Sequence, residues 1–200
     1  MTPPAGTTRL PAAERRRALV EAGLRVFGTG SYAGATTAEI AREAGVTEPV
    51  LYRHFASKRD LYIACLEEIW QRVRGHVEEK IARLGPEEGW RSISPATLRE
   101  MKVTAPSLWM QALTEAGEDE EIRRYLRRHL REVHDFFADV LRRVQAAGGV
   151  HPDRDPDVEA WIFVAGTLLG AVVDRLGGPL RPEDLDAIKA ERHRWLTGRG

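Results

Sequence analysis

Apolar residues recur every three or four positions along almost the whole chain, and no stretch alternates with period two long enough to make a strand. Leu19, Ala22, Val26 and Phe27 form one stripe, which predicts a helix over residues 11–27. Leu61, Cys65, Leu66, Ile69, Val73 and Val77 keep the period through a long helix over 57–84, which Gly85-Pro86 breaks. Residues 86–94, with Trp90, read as a loop. Short helices are expected over 95–103 and 106–116, the second carrying Leu108, Trp109, Ala112 and Leu113 on its apolar face. From Ile122 to Val144 the period runs unbroken through a long helix over 119–147, with an Arg-rich outer face. Residues 158–176 are apolar nearly all round, so that helix must be buried on most sides. A last amphipathic helix follows over 181–196. These are about nine helices and no sheet: an all-α fold.

The stretch between the first stripe and the long helix carries the sharpest local signals. Thr36 with Glu39 three residues on has capping-box spacing, and Ile40, Ala41 and Ala44 follow on one face. Gly45 stands where that short helix must stop, in a conformation that glycine takes at little cost. Thr47 is the expected cap of a second short helix, with Glu48 and Pro49 in its first turn. Ser57 and Asp60 repeat the capping pattern for the long helix. Two short helices around a Gly turn, at 36–55, make a helix-turn-helix unit, whose second helix reads DNA in the major groove. Base edges are met by the N-terminal part of that helix, here Thr47, Glu48, Pro49 and Val50, with Arg53 one turn on. Glu48 suits a cytosine amino group, and Pro49 or Val50 a thymine methyl. Glu48 also suits the helix dipole on its own account.

Charge adds one feature. The 200 residues carry no net formal charge, which argues against a purely electrostatic polyanion binder. Residues 1–59 nevertheless hold nine Lys/Arg against five Asp/Glu, and the remainder 21 against 25. A basic N-terminal part on an acidic body fits one end meeting phosphate. The one cysteine, Cys65, excludes an intrachain disulfide and a multi-cysteine zinc site, and its apolar helical setting reads as core. The histidines show no metal spacing, so neither metal nor cofactor is expected. No nucleophile–base pairing, phosphate loop or Gly-rich cofactor turn points to an enzyme. No signal sequence opens the chain, and 160–173 reads as too short to span a bilayer; a soluble cytoplasmic protein without a membrane partner is expected.

The order of first helix, glycine-rich loop, helix-turn-helix and long helix resembles the DNA-binding domain of the tetracycline-repressor (TetR) family. The matching residues are Leu19, Val20, Ala22, Phe27 and Tyr32, then Thr36, Thr37, Ile40, Ala41, Ala44, Gly45 and Val46, then Leu51, Tyr52, His54, Phe55, Lys58 and Leu61. The string AGVTEPVLYRHFASKRDL carries most of the specificity. Ser31 departs from a usual Gly, and Gly23 from a usual Ala at a cost of about 1 kcal/mol in helix propensity. The resemblance implies a DNA-binding domain at 13–73 and a ligand-binding and dimerisation domain at 74–200. It implies phosphate contacts from Thr37, Tyr52, His54 and Lys58; a Lys in a first helical turn opposes the dipole, so an external anion would explain Lys58. It implies double-stranded operator DNA, a small apolar or amphipathic effector and a second copy of the chain as partners. Trp109, Met110, Phe137 and Trp161 are nominated for an effector pocket, against the plainer reading of helical aromatics as core. The last two helices are nominated for dimerisation through Gly166, Gly170, Leu185 and Ile188; Gly166 and Gly170 would equally serve close packing within the chain. The expected function is a ligand-relieved repressor acting as a dimer on a near-palindrome, the alternatives being an activator of the same family or a helical carrier or enzyme. The operator, the effector and the regulated genes are not written in the sequence.

Overall fold

The computed structural model describes residues 11–93 and 105–198, and among these it has nine helices and no strand. They are α1 Ala12–Thr29, α2 Thr37–Glu43, α3 Glu48–Tyr52, α4 Lys58–Leu84, α5 Pro86–Arg91, α6 Ala105–Glu115, α7 Glu120–Ala146, α8 Pro156–Arg175 and α9 Pro182–Thr197. The helix expected over 95–103 lies outside the described residues, as does the side chain of Leu185. The chain divides into two compact units between Glu68 and Ile69, within α4.

In the first unit, α1 to α3 and the start of α4 close on one core. Leu19, Ala22, Phe27, Ile40, Leu51, Leu61, Tyr62 and Cys65 are fully enclosed, each large apolar side chain contributing roughly 1.5–3 kcal/mol. Phe27 meets Tyr62 edge-on at 4.9 Å, and Tyr32 packs on Tyr62 at 4.7 Å, which pins the loop after α1 to α4. Gly23 is no loss of helix propensity left uncompensated. A Cβ there would lie 2.8 Å from Cys65 Sγ, and the Cys65 thiol donates to Val20 O at 3.6 Å. Cys65 fills the space that a methyl at position 23 would take.

In the second unit, α4 contributes Trp70, Val73, Val77 and Ile81 to a core completed by Phe137, Val140, Leu141 and Val144 of α7, Ala160 of α8 and Leu196 of α9. Residues 86–91 form a helix rather than the expected loop. Gly85 adopts φ +82, and Pro86 then opens α5 at a position where no N–H is needed. Gly-Pro therefore ends one helix and starts the next. At Gly89 a Cβ would fall 2.8 Å from Ile81 Cα, so α5 lies directly on the α4 backbone.

Helix α8 differs from expectation twice. Its first eighteen residues are long and apolar enough to cross a membrane by length and composition, where the sequence reads as too short. Nor is it buried on most sides. Ala160, Val164, Ala171 and Val173 face the core, while Val158, Trp161, Ile162, Leu169 and, just past the helix, Leu176 are exposed. Glu159, 3% exposed, is ion-paired with Arg192 and accepts from Trp195 Nε1 at 3.0 Å, tying the last turns of α9 to the first turn of α8. A buried carboxylate with two partners on another helix is a feature of packing within the body.

Candidate nucleic-acid interface

The helix-turn-helix is set by its caps. Thr36 Oγ1 accepts from the Glu39 N–H at 3.1 Å and opens α2. Gly45, at φ +68, ends it, and Val46 N donates back to Ala41 O at 2.9 Å. Thr47 holds the N-cap position of α3 in extended backbone, but its side chain makes no cap bond, contrary to the capping role expected of it. Ser57 Oγ accepts from Asp60 N at 3.1 Å and opens α4 as expected.

This framework fixes which side of α3 faces out. Leu51 is fully buried and Phe55 nearly so, with the Arg16 guanidinium 4.8 Å above the Phe55 ring. Thr47, Pro49, Tyr52 and Arg53 are exposed; Glu48, Val50 and His54 are half-buried. All five base-reading candidates thus lie on or beside the outward surface of one short helix. Thr37 sits opposite, at the start of α2. Its hydroxyl donates to Glu48 Oε1 and lies 3.2 Å from Tyr52 Oη, so two phosphate-contact candidates and one base-reading candidate are joined.

Lys58 has partners that sequence spacing does not reveal. Its Nζ donates to Tyr32 O at 2.8 Å and Ala35 O at 3.1 Å, and lies 4.5 Å from the Tyr32 ring centroid. Two carbonyl dipoles and a ring face answer the charge inside the unit, so the dipole argument no longer calls for an external anion.

In the body, Phe137 lies in an aromatic cluster. Its ring is 4.5 Å from Phe163, 5.2 Å from Phe136, 6.3 Å from Trp70 and 6.4 Å from Trp90. Trp70 Nε1 donates to Glu132 at 2.9 Å. Trp109 and Met110 are half-buried on α6. Trp161 has different surroundings from Phe137: it is exposed and stacks on His134 at 4.3 Å, with Arg131 near its ring. His134 lies between Asp135 Oδ1 at 2.8 Å and Asp157 O at 3.0 Å. His129, beside Trp70 and stacked on Tyr125, has its pKa lowered chiefly by burial, with Glu132 raising it and Arg128 lowering it further. Among the described residues no cluster of side chains suits a metal ion. Ile188 is exposed, and a Cβ on Gly166 would meet nothing within 4 Å, so nothing among the described residues packs closely there.

Two family models match the chain. Residues 19–65 match that of bacterial regulatory proteins of the tetR family, and 96–193 that of the C-terminal part of BetI-type transcriptional repressors. The chain belongs to the TetR family. The HTH-type transcriptional activator FasR of Mycolicibacterium smegmatis is 51% identical over 59 residues, 30% of this chain and 27% of that protein. The HTH-type transcriptional regulator BetI of Rhizobium meliloti is 33% identical over 115 residues, 56% of this chain and 57% of that one. The chain therefore spans from about a quarter to somewhat over half the length of these curated relatives. Among solved structures, a TetR-family regulator from Rhodococcus sp. superposes with a TM-score of 0.74 at 21% identity, covering 92% of this chain and 99% of that one. A transcriptional regulator from Saccharomonospora viridis, solved in complex with choline, gives 0.60 at 22% identity over 90% and 93%.

Within this TetR fold, sequence reasoning missed the carbonyl cradle of Lys58, the Thr37–Glu48–Tyr52 link and the ring cluster around Phe137. The first two join residues 11 to 26 positions apart, beyond helical periodicity. The third had a signal in Trp70, Trp90, Phe136 and Phe163, whose partners only the packing of α4, α5, α7 and α8 defines.

Proposed function

We propose that the chain is a DNA-binding transcriptional regulator acting as a homodimer in the cytoplasm, binding a near-palindromic operator and releasing it when a small effector binds the body. One observation carries this reading: α3 keeps Leu51 in the core while Thr47, Pro49, Tyr52 and Arg53 stand out on one surface. That is the geometry of a helix presented to a major groove. Thr47, Glu48, Pro49, Val50 and Arg53 are the proposed base readers, and the Thr47 hydroxyl suits that role because capping does not use it. Thr37, Tyr52 and His54 are the proposed phosphate contacts. Lys58 is proposed to fix the loop before α2, its ammonium being already held there.

The dimer reading rests on the exposed apolar residues of α8 together with Ile188 of α9. A two-fold axis presents recognition helices about 34–36 Å apart or a multiple of it, which makes the target a near-palindrome. An effector releases DNA only through its different affinity for the two forms. We place the effector site beside the rings around Phe137. Ring faces with the Glu132 carboxylate nearby suit an amphipathic molecule carrying a cationic head, and choline in the S. viridis neighbour is of that chemistry. We propose no catalytic role.

The test is selection of duplexes from a random library by the purified protein, followed by competition with choline and less polar amines. Enrichment of a two-fold-symmetric sequence, released by one of these, is expected. Failure to enrich any sequence at low salt overturns the DNA reading. An activator is the second reading, favoured by the likeness of 59 residues of the chain to the activator FasR; a fall in transcription from the selected site on deleting the gene would decide for it.

A further inference from the structure

In the DNA reading above Thr37 and Tyr52 are phosphate contacts and Glu48 a base reader, yet the three form one hydrogen-bonded chain. Its protons can be placed from valence alone. A carboxylate only accepts, and a threonine hydroxyl has one proton. That proton goes to Glu48 Oε1, so at the 3.2 Å contact Thr37 accepts and Tyr52 donates. Both hydroxyl protons therefore run inward, from Tyr52 to Thr37 to Glu48. A phosphodiester also only accepts, so neither hydroxyl can serve it until this chain breaks. A carboxylate that stayed in place would, in addition, set two negative charges around one hydroxyl.

We propose that Glu48 is an internal stand-in for a DNA phosphate at the Thr37–Tyr52 hydroxyl pair, and that operator binding is an exchange of partners. The phosphate takes the two hydroxyls, and the displaced carboxylate takes the N4 amino group of a cytosine. This rests on the reading of the helix-turn-helix as DNA-binding, and adds what that reading lacks, a residue that penalises wrong DNA. Where a cytosine amino group faces α3, the carboxylate regains a donor. Guanine presents acceptors in the major groove, thymine an acceptor and a methyl, and adenine pairs its amino group with the N7 acceptor. At such bases Glu48 gives up Thr37 and is left beside a phosphate. Phosphate docking and base reading thereby depend on each other.

The experiment uses the full-length protein, the duplex best selected by the wild type, and a scrambled duplex of the same composition. Glu48→Ala is expected to bind the scrambled duplex about tenfold more tightly and to lower the ratio of selected to scrambled affinity by more than tenfold. Glu48→Gln, whose amide oxygen can still accept from Thr37, guards against loss of α3. It is expected to tighten scrambled binding too, and in a fresh selection to replace cytosine by adenine at one position per half-site. If both variants weaken the two duplexes equally, Glu48 is a tie between α2 and α3 and the exchange is overturned. If the wild type selects no sequence at all, the DNA reading itself has failed, a result distinct from the first.

Discussion

Replacing Lys58 by alanine separates two accounts of the same side chain. One makes the ammonium a phosphate contact; the other, drawn from its bonds, makes it the brace of the loop between α1 and α2. The brace comprises bonds to Tyr32 O at 2.8 Å and Ala35 O at 3.1 Å, with the Tyr32 ring beneath. Hydrogen bonds to a charged group contribute about 1.5–3 kcal/mol each, and an exposed cation–π contact about 0.5–1 kcal/mol. Lys58 is only half-buried, so in the variant water reaches both carbonyls and recovers much of that sum. A net loss of about 2 kcal/mol is expected. In a chain of 200 residues it lowers Tm by about 4–8 °C.

The assay pairs thermal unfolding by circular dichroism with DNA affinity over a range of salt, measured well below Tm. A phosphate contact adds about −0.9 to the slope of log K against log salt. The brace predicts that Lys58→Ala lowers Tm as stated, leaves the slope unchanged, and weakens selected and scrambled duplexes together. Lys58→Met, which keeps the stem, should do the same. A Tm within a degree of wild type with a slope shallower by about 0.9 would refute the reasoning and return Lys58 to the DNA backbone.

Gly23→Ala should destabilise by about 1 kcal/mol, the clash with Cys65 Sγ outweighing the gain in helix propensity; with Cys65→Ala beside it the two changes should be better tolerated together than their sum, by at least 1 kcal/mol in a denaturation cycle, and additive effects would exclude direct contact. His129 is held neutral by burial, so the unfolded chain takes up a proton first as pH falls below 6.5. Its share of stability is complete above that pH and is lost as pH falls toward the lower folded value. Tm should therefore drop more steeply from pH 7.5 to 5.5 in wild type than in His129→Phe, and parallel curves would contradict this. Arg192→Met leaves the buried Glu159 carboxylate without its counter-ion and should cost about 3 kcal/mol, more than Glu159→Gln, whose carbonyl can still accept from Trp195; equal losses in urea titrations would count against a charged pair. Leu169→Glu sets a charge in the exposed apolar surface of α8 and should give monomers at micromolar concentration by light scattering; an unchanged dimer would move the interface elsewhere.

What was legible in the sequence was local. The Thr36–Glu39 and Ser57–Asp60 bonds, the left-handed Gly45 and the buried Leu51 all lie within five residues of the signal that predicts them. Two local readings still failed. Residues 86–94 read as a loop behind the Gly85-Pro86 stop, although Gly at positive φ and Pro in a first helical turn also start a helix, here over Pro86–Arg91. Thr47 reads as a cap, yet its side chain is left unused by α3. The other differences are tertiary. Propensity penalises Gly23 because the answering sulfur is 42 positions away on α4, and the dipole argument for Lys58 cannot foresee carbonyls 23 and 26 residues back. Trp161 and Phe137 are alike as aromatic positions on helices, and only packing separates the exposed ring on His134 from the buried one among Trp90, Phe136 and Phe163.

Helix α8 shows why composition alone misjudges such a segment. It is apolar enough for a bilayer because two surfaces of it need covering, and the chain covers one. Val158, Ile162, Ala165 and Leu169 recur at helical spacing on the other, beside the open Gly166. Helix α9 has the complementary shortage. Leu196 enters the core, and Arg192 and Trp195 hold the buried Glu159, so its last turns are anchored; Ile188 and its neighbours stay exposed. An isolated helix of 16 residues is marginal in water, so the middle of α9 needs packing that one chain does not supply. In the proposed dimer the two shortages meet: α8 gains an apolar neighbour, and α9 gains the packing that holds it. Order in α9 and association then become one equilibrium, and it is the same equilibrium that pairs two recognition helices. Operator affinity should accordingly fall with protein concentration below the dimer Kd, together with the helical signal of α9.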